Sequence, residues 1–127
     1  MLRFLFITFA FFVAGCQSAV VQEFPLTRFK AEAALDRGIR EYDDGDYRVA
    51  ARTIQGALDA GLTTRSQGRA HKYLAFIHCI AGNQPACRDQ FRKAFKADPK
   101  LELKPEESGH PIWDPVYRNV RLEMAKK

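Results

Sequence analysis

The chain is poor in the residues that build metal and catalytic centres. Its 127 residues include 3 cysteines, 3 histidines, 2 methionines and 1 tryptophan. No cysteine or histidine pair has the CxxC or HxxxH spacing that lets one stretch of backbone grip an ion. His71 and His78 would lie two turns apart on one helix, about 10 Å, too far to share a metal. HExxH, a glycine-rich phosphate loop and a Gly-x-Ser-x-Gly elbow are all missing. Zinc hydrolysis, nucleotide binding and serine catalysis therefore have no motif to stand on. The pattern argues against an enzyme, and neither cofactor nor metal is expected. Long apolar runs are missing too: the longest, residues 4–13, is too short to cross a bilayer as a helix. Nor is there a block of one charge. Lys and Arg number 20 against 15 Asp and Glu, for a formal net charge of +5, but the two signs are interspersed. Without basic tracts or aromatic–basic alternation, a nucleic-acid partner is disfavoured.

What the chain does have begins at its N-terminus. Arg3 supplies a positive start, residues 4–13 an apolar stretch, and Val13, Ala14, Gly15 and Cys16 close it. Small residues before the cysteine suit a peptidase that must grip extended backbone. Read on composition alone, this is a secretory signal with a cysteine near its end. The last four residues also resemble the lipobox of bacterial lipoproteins. That resemblance implies cleavage between Gly15 and Cys16 and acylation of Cys16 by palmitate-like chains, each buried methylene adding about 0.8 kcal/mol of membrane affinity. Gln17, not aspartate, follows the cysteine. In Gram-negative lipoproteins this implies the outer membrane, periplasmic face. The expected organisation is a signal over 1–15, a lipidated N-terminus and tether over 16–28, a helical domain over 29–99, and a linker with a capping helix over 100–127. Residues 17–28 lack helical periodicity and contain Pro25, hence the tether.

Residues 29–99 carry small and aromatic residues at recurring offsets. Leu74, Ala75, His78, Gly82, Cys87, Phe91, Ala94, Asp98 and Pro99 make one copy; Gly38, Tyr42, Gly45, Ala50, Ile54 and Ala57 make another. The pattern resembles the tetratricopeptide repeat, a helical hairpin of about 34 residues. Physical chemistry points the same way. Gly38 with Ala50, and Ala75 with Cys87, would let paired helices approach closely. Ile54, Leu58, Leu74, Phe91 and Phe95 recur at helical spacing and would fill the interior. Gly45 and Gly82 sit where the chain must reverse, and Pro85 suits the first turn of a helix. Arg37, Glu41 and His71 depart from the repeat, so the first hairpin is degenerate. The expected fold is all-α: helices near 30–44, 47–60, 67–81 and 85–97 in two antiparallel hairpins. Residues 61–68 form the loop between the hairpins.

Stacked hairpins need a cap. Asp114 as N-cap and Pro115 as first helical residue predict a last helix over 115–125. Ile112, Trp113, Val116, Val120 and Met124 would be its inward stripe. Cys79 and Cys87, an even pair in an exported domain, suggest a disulfide worth at most about 3 kcal/mol. Against it, Cys87 should face Ala75, one turn from Cys79, so two buried thiols are the other reading. The acidic cluster of Asp43, Asp44 and Asp46 reads as solvated turn chemistry.

Binding remains. In the repeat frame the first helix of each hairpin lines a concave groove, presenting Leu35, Ile39, Tyr42, Arg69, Lys72, Phe76 and Ile80. Tyr42, Arg69, Lys72 and Phe76 would suit an acidic or carboxylate-ended peptide. Alternatively, the apolar members hold the hairpins together and the cations are solvated. Finally, the run AHKYLAFIHCIAGNQPACRDQFRKAF and the motif of Gly109, His110, Pro111, Ile112 and Trp113 resemble the TssQ-type lipoproteins associated with bacterial type VI secretion. That resemblance implies a non-catalytic interaction or scaffold component whose partner is an envelope protein of the secretion apparatus. It carries over no binding residue, and the 109–113 motif reads either as packing by Trp113 or as a contact site. The alternative is a pilotin-like or chaperone-like factor escorting an outer-membrane or pilus subunit.

Overall fold

The computed structural model describes residues 23–127; the signal, Gly15 and Cys16 lie outside the described residues. Those described form five helices: α1 (Glu23–Asp43), α2 (Tyr47–Ala60), α3 (Thr64–Ile80), α4 (Gln84–Ala97) and α5 (Asp114–Ala125). The helices α1 and α2 pack as one hairpin and α3 and α4 as a second, with α5 laid on α4. The turns form where expected. Gly45 and Gly82 adopt φ of 85° and 78°, a region that glycine enters without a steric penalty. Asn83 caps α4 by accepting from the Ala86 amide at 3.2 Å, with Pro85 in the first turn. None of these helices is long and apolar enough to cross a membrane.

Close approach within the first hairpin rests on Gly38. A Cβ there would lie 2.6 Å from Ile54 Cγ1 and 3.2 Å from the Ile54 amide nitrogen. Ala50, Ala75 and Cys87 are likewise fully buried at the crossings. The interior is built on Leu35, Ile54, Phe76, Phe91 and Val120, with Leu74 and Phe95 joining it; Leu58 is only partly buried.

The structure departs from expectation at four places. The helix α1 starts at Glu23, so residues 23–28 are helical where no helix is expected. Pro25 is tolerated because it falls in the first turn, where its missing N–H has no intrahelical partner to lose. The loop between hairpins shrinks to residues 61–63 because Thr63 Oγ1 accepts the Ser66 amide and starts α3 early. Gly68, expected in that loop, lies inside α3, where a Cβ would meet Asp98 Cβ at 2.7 Å. Asp114 does not cap α5. Its Oδ2 accepts instead from the Gly109 amide at 2.8 Å, bracing a turn in which Gly109 takes φ of 78°. Ile112 points to solvent and Tyr117 takes the expected inward place. Of the two readings of the cysteine pair, the disulfide is the one found: Cys79 and Cys87 are joined, their Cα atoms 5.0 Å apart across the α3–α4 turn.

Candidate functional site

From residue 70 to 79 the helix α3 is buried on most sides: Ala70, Lys72, Tyr73, Leu74, Ala75, Phe76, Ile77 and Cys79 are all buried. A stretch of this kind must be covered on those sides. The second hairpin helix covers one flank and α1 and α2 another. The third flank, where an open groove was expected, is covered by residues 104–113 from the C-terminal segment.

One ion pair fastens that segment. Lys72, 3% exposed, donates from Nζ to Glu107 Oε2 at 2.8 Å and Oε1 at 3.1 Å. Tyr73 Oη donates to Glu107 Oε1 at 3.4 Å, and the Lys104 amide to Oε2 at 2.9 Å. The ammonium also lies 5.1 Å from the Tyr73 ring centroid and 5.8 Å from that of Phe76. Burial pulls the Lys72 pKa below its ordinary value, opposed by the hydrogen bond and charge of Glu107. Burial, reinforced by the Glu107 charge, pushes the Tyr73 hydroxyl up to about 12. A buried charge left alone would be expensive, and each partner here is the other's compensation.

Trp113 completes the closure. Its ring stacks on Phe76 at 4.4 Å between centroids, His110 stacks on its other face at 3.4 Å, and its Nε1 donates to the Glu107 carbonyl at 3.0 Å. Of the two readings of the 109–113 motif, packing describes His110 and Trp113. Ile112 alone of that motif's large apolar side chains is exposed. Downstream, Tyr117 Oη donates to the Leu101 carbonyl at 2.9 Å, tying α5 back to the start of the same segment.

Of the two readings of the groove residues, packing describes the apolar ones, Leu35, Ile39, Phe76 and Ile80, while the cations are ion-paired and not simply solvated. Phe76 is fully buried and Lys72 is consumed by Glu107. Arg69 is paired at the surface with Asp36 at 3.0 Å and, with Lys72, borders a separate opening beside Lys100 and Lys104. Leu35 and Ile39 belong to the core. Ile39, Tyr42 and Phe76 still border one opening. What survives is a cleft of about 270 Å³ bordered by Tyr42, Asp43, Tyr73, Glu106, Glu107 and Trp113, with Lys104 at its edge. Tyr42 is half-buried, 5.1 Å from the Tyr73 ring and 6.2 Å from Phe76, and burial raises its hydroxyl pKa. Asp43 and Glu106 are exposed at the rim.

Glu107 was missed because nothing in the run KPEES marks one carboxylate as buried. The available signal was on the other partner: a lysine next to the run of residues 73–77, all apolar or aromatic, demands an anion if it is buried with them. His71, in the slot where the repeat has tryptophan, is half-buried with Nδ1 2.7 Å from Gln90 Oε1, and burial lowers its pKa. Among the described residues no group of His, Cys, Asp and Glu is placed to hold a metal ion. Comparison of the chain with protein families, curated proteins and solved structures returns no match.

Proposed function

We propose that the protein is a lipid-anchored interaction domain of the bacterial envelope, held at the periplasmic face of the outer membrane through Cys16 and associated with type VI secretion. The observation that carries this reading is the Cys79–Cys87 disulfide. Disulfides persist in oxidising compartments, which is where the signal ending at Cys16 would deliver the chain. The sequence resemblance to TssQ-type lipoproteins supplies the secretion system, and the hairpin pair supplies a rigid body for docking. A non-catalytic role is supported by Glu107, the best-buried carboxylate near the cleft: both its oxygens are committed to Lys72, Tyr73 and a backbone amide. The escort reading is the weaker of the two, because its cargo groove is filled by the chain's own residues 104–113.

Crosslinking in living cells, followed by purification of the lipoprotein and mass spectrometry, tests the proposal. Palmitate labelling should be present in the parent and lost in Cys16→Ser. Envelope subunits of the secretion apparatus should be recovered with the parent and lost with that variant. Recovery of outer-membrane or pilus subunits instead would overturn the assignment.

A further inference from the structure

We infer that the cleft beside Tyr42 receives a cationic side chain, lysine or arginine, from a partner protein. This deepens the interaction-domain reading and rests on it. It also reverses the ligand charge that the sequence implied, because the two basic residues expected to meet an acidic peptide are already engaged, Lys72 with Glu107 and Arg69 with Asp36.

The opening presents the opposite chemistry. Asp43 and Glu106 stand exposed at its rim, and neither takes part in an ion pair among the described residues. Behind them the wall carries the rings of Tyr42 and Tyr73; Trp113 also lines it, but its faces are already covered by Phe76 and His110. Ring faces carry partial negative charge and attract cations, most strongly where water is thinned out. The molecule already holds one cation in this way from within, the Lys72 ammonium at 5.1 Å from the Tyr73 ring and 5.8 Å from Phe76. On a chain of net charge +5, an acidic opening is a local inversion of sign that would select and orient a basic group. Lys104 is the one cation at the edge. Being exposed, it is free to swing away from an incoming charge. Size decides between a side chain and a larger ligand. At about 270 Å³ the cleft falls just under the roughly 300–1,000 Å³ of pockets for drug-sized molecules. It has room for one long side chain and none for a helix or a folded peptide.

Trp113 is the sole tryptophan and forms part of the wall, so its fluorescence reports occupancy. The full lipoprotein in non-ionic detergent would be titrated with end-capped tri-lysine and tri-arginine peptides, with tri-glutamate as the opposite-charge probe. The expected result is a saturable Trp113 response to a basic peptide that weakens with salt. In Asp43→Asn/Glu106→Gln the half-saturation concentration should rise about tenfold. The control Asp89→Asn/Glu123→Gln removes the same charge elsewhere and should leave it unchanged. All four side chains are exposed, and circular dichroism confirms folding. No response to either basic peptide, equal weakening in both double variants, or a stronger response to tri-glutamate would each overturn the inference. A flat titration alongside recovered envelope partners would remove the cleft and leave the interaction domain standing. A positive titration without such partners would keep the cleft and remove the envelope assignment.

Discussion

Lys72 and Glu107 are the residues on which the C-terminal segment turns. Removing one partner strands the other in a site with little water, at a cost of about 3–5 kcal/mol, whereas replacing both with apolar residues of similar size is close to neutral. Urea unfolding of Glu107→Leu should therefore show a loss of about 3 kcal/mol, largely restored in Lys72→Met/Glu107→Leu. An undiminished loss in the double variant would mean that Glu107 acts through its contacts with the Lys104 amide and Tyr73. The sequence held half of this pair in view. Lys72 is buried among Tyr73, Phe76 and Ala75 on α3, but its partner is 35 residues away in a segment without periodicity. The buried tyrosines make a second prediction. Tyr73 is raised from 10.0 to about 12, and Tyr42 and Tyr117 are raised as well, all chiefly by burial. Groups raised on folding give stability that is full below their unfolded pKa and lost as pH climbs through the folded value. Lys72, lowered, acts in the opposite sense, one group against three. Stability should fall from pH 10 upward, and less steeply in Tyr73→Phe.

At the scale of elements, the small residues separate cleanly by what surrounds them. Gly38 has no room: a Cβ would meet Ile54 Cγ1 at 2.6 Å, so Gly38→Ala should destabilise by about 1–3 kcal/mol through overpacking of α1 against α2. Gly56, inside α2, has nothing within 4 Å of the same atom, so Gly56→Ala should stabilise by up to about 1 kcal/mol by helix propensity. Thermal unfolding of the two variants measures both, and shifts of the same sign would refute the packing argument. Hairpin turns and crossings were legible in advance because Gly45, Gly82, Pro85, Ala50 and Cys87 each solve a local problem that only a few residue types can. The start of α1 was not legible, since Pro25 means a break or a first turn depending on where the helix begins. Gly68 misled for a related reason: glycine marks loops and close crossings alike, and only the position of Asp98 decides. The cap role assigned to Asp114 failed because its carboxylate had a better use, the Gly109 amide in the preceding turn.

At the scale of the molecule, the C-terminal segment makes two hairpins into one body. The closure of the expected groove by the chain's own C-terminal segment was not foreseen. Tyr42 and Phe76 do lie at one place, yet Phe76 is sealed beneath Trp113 and the concave face is reduced to a cleft with acidic edges. No local pattern encodes this, because the contacts join residues 72–76 to 104–113 across a full hairpin. The central claim is that this segment is an integral part of the fold, seated by the Lys72–Glu107 pair and the Phe76–Trp113 stack. Chemical unfolding followed at once by Trp113 fluorescence and by helical circular dichroism tests it most directly, since the single tryptophan reports the segment and the circular dichroism reports all the helices. Coincident transitions are the predicted result. Release of Trp113 at lower denaturant, with helicity intact, would show the segment to be a detachable cover and would contradict the account.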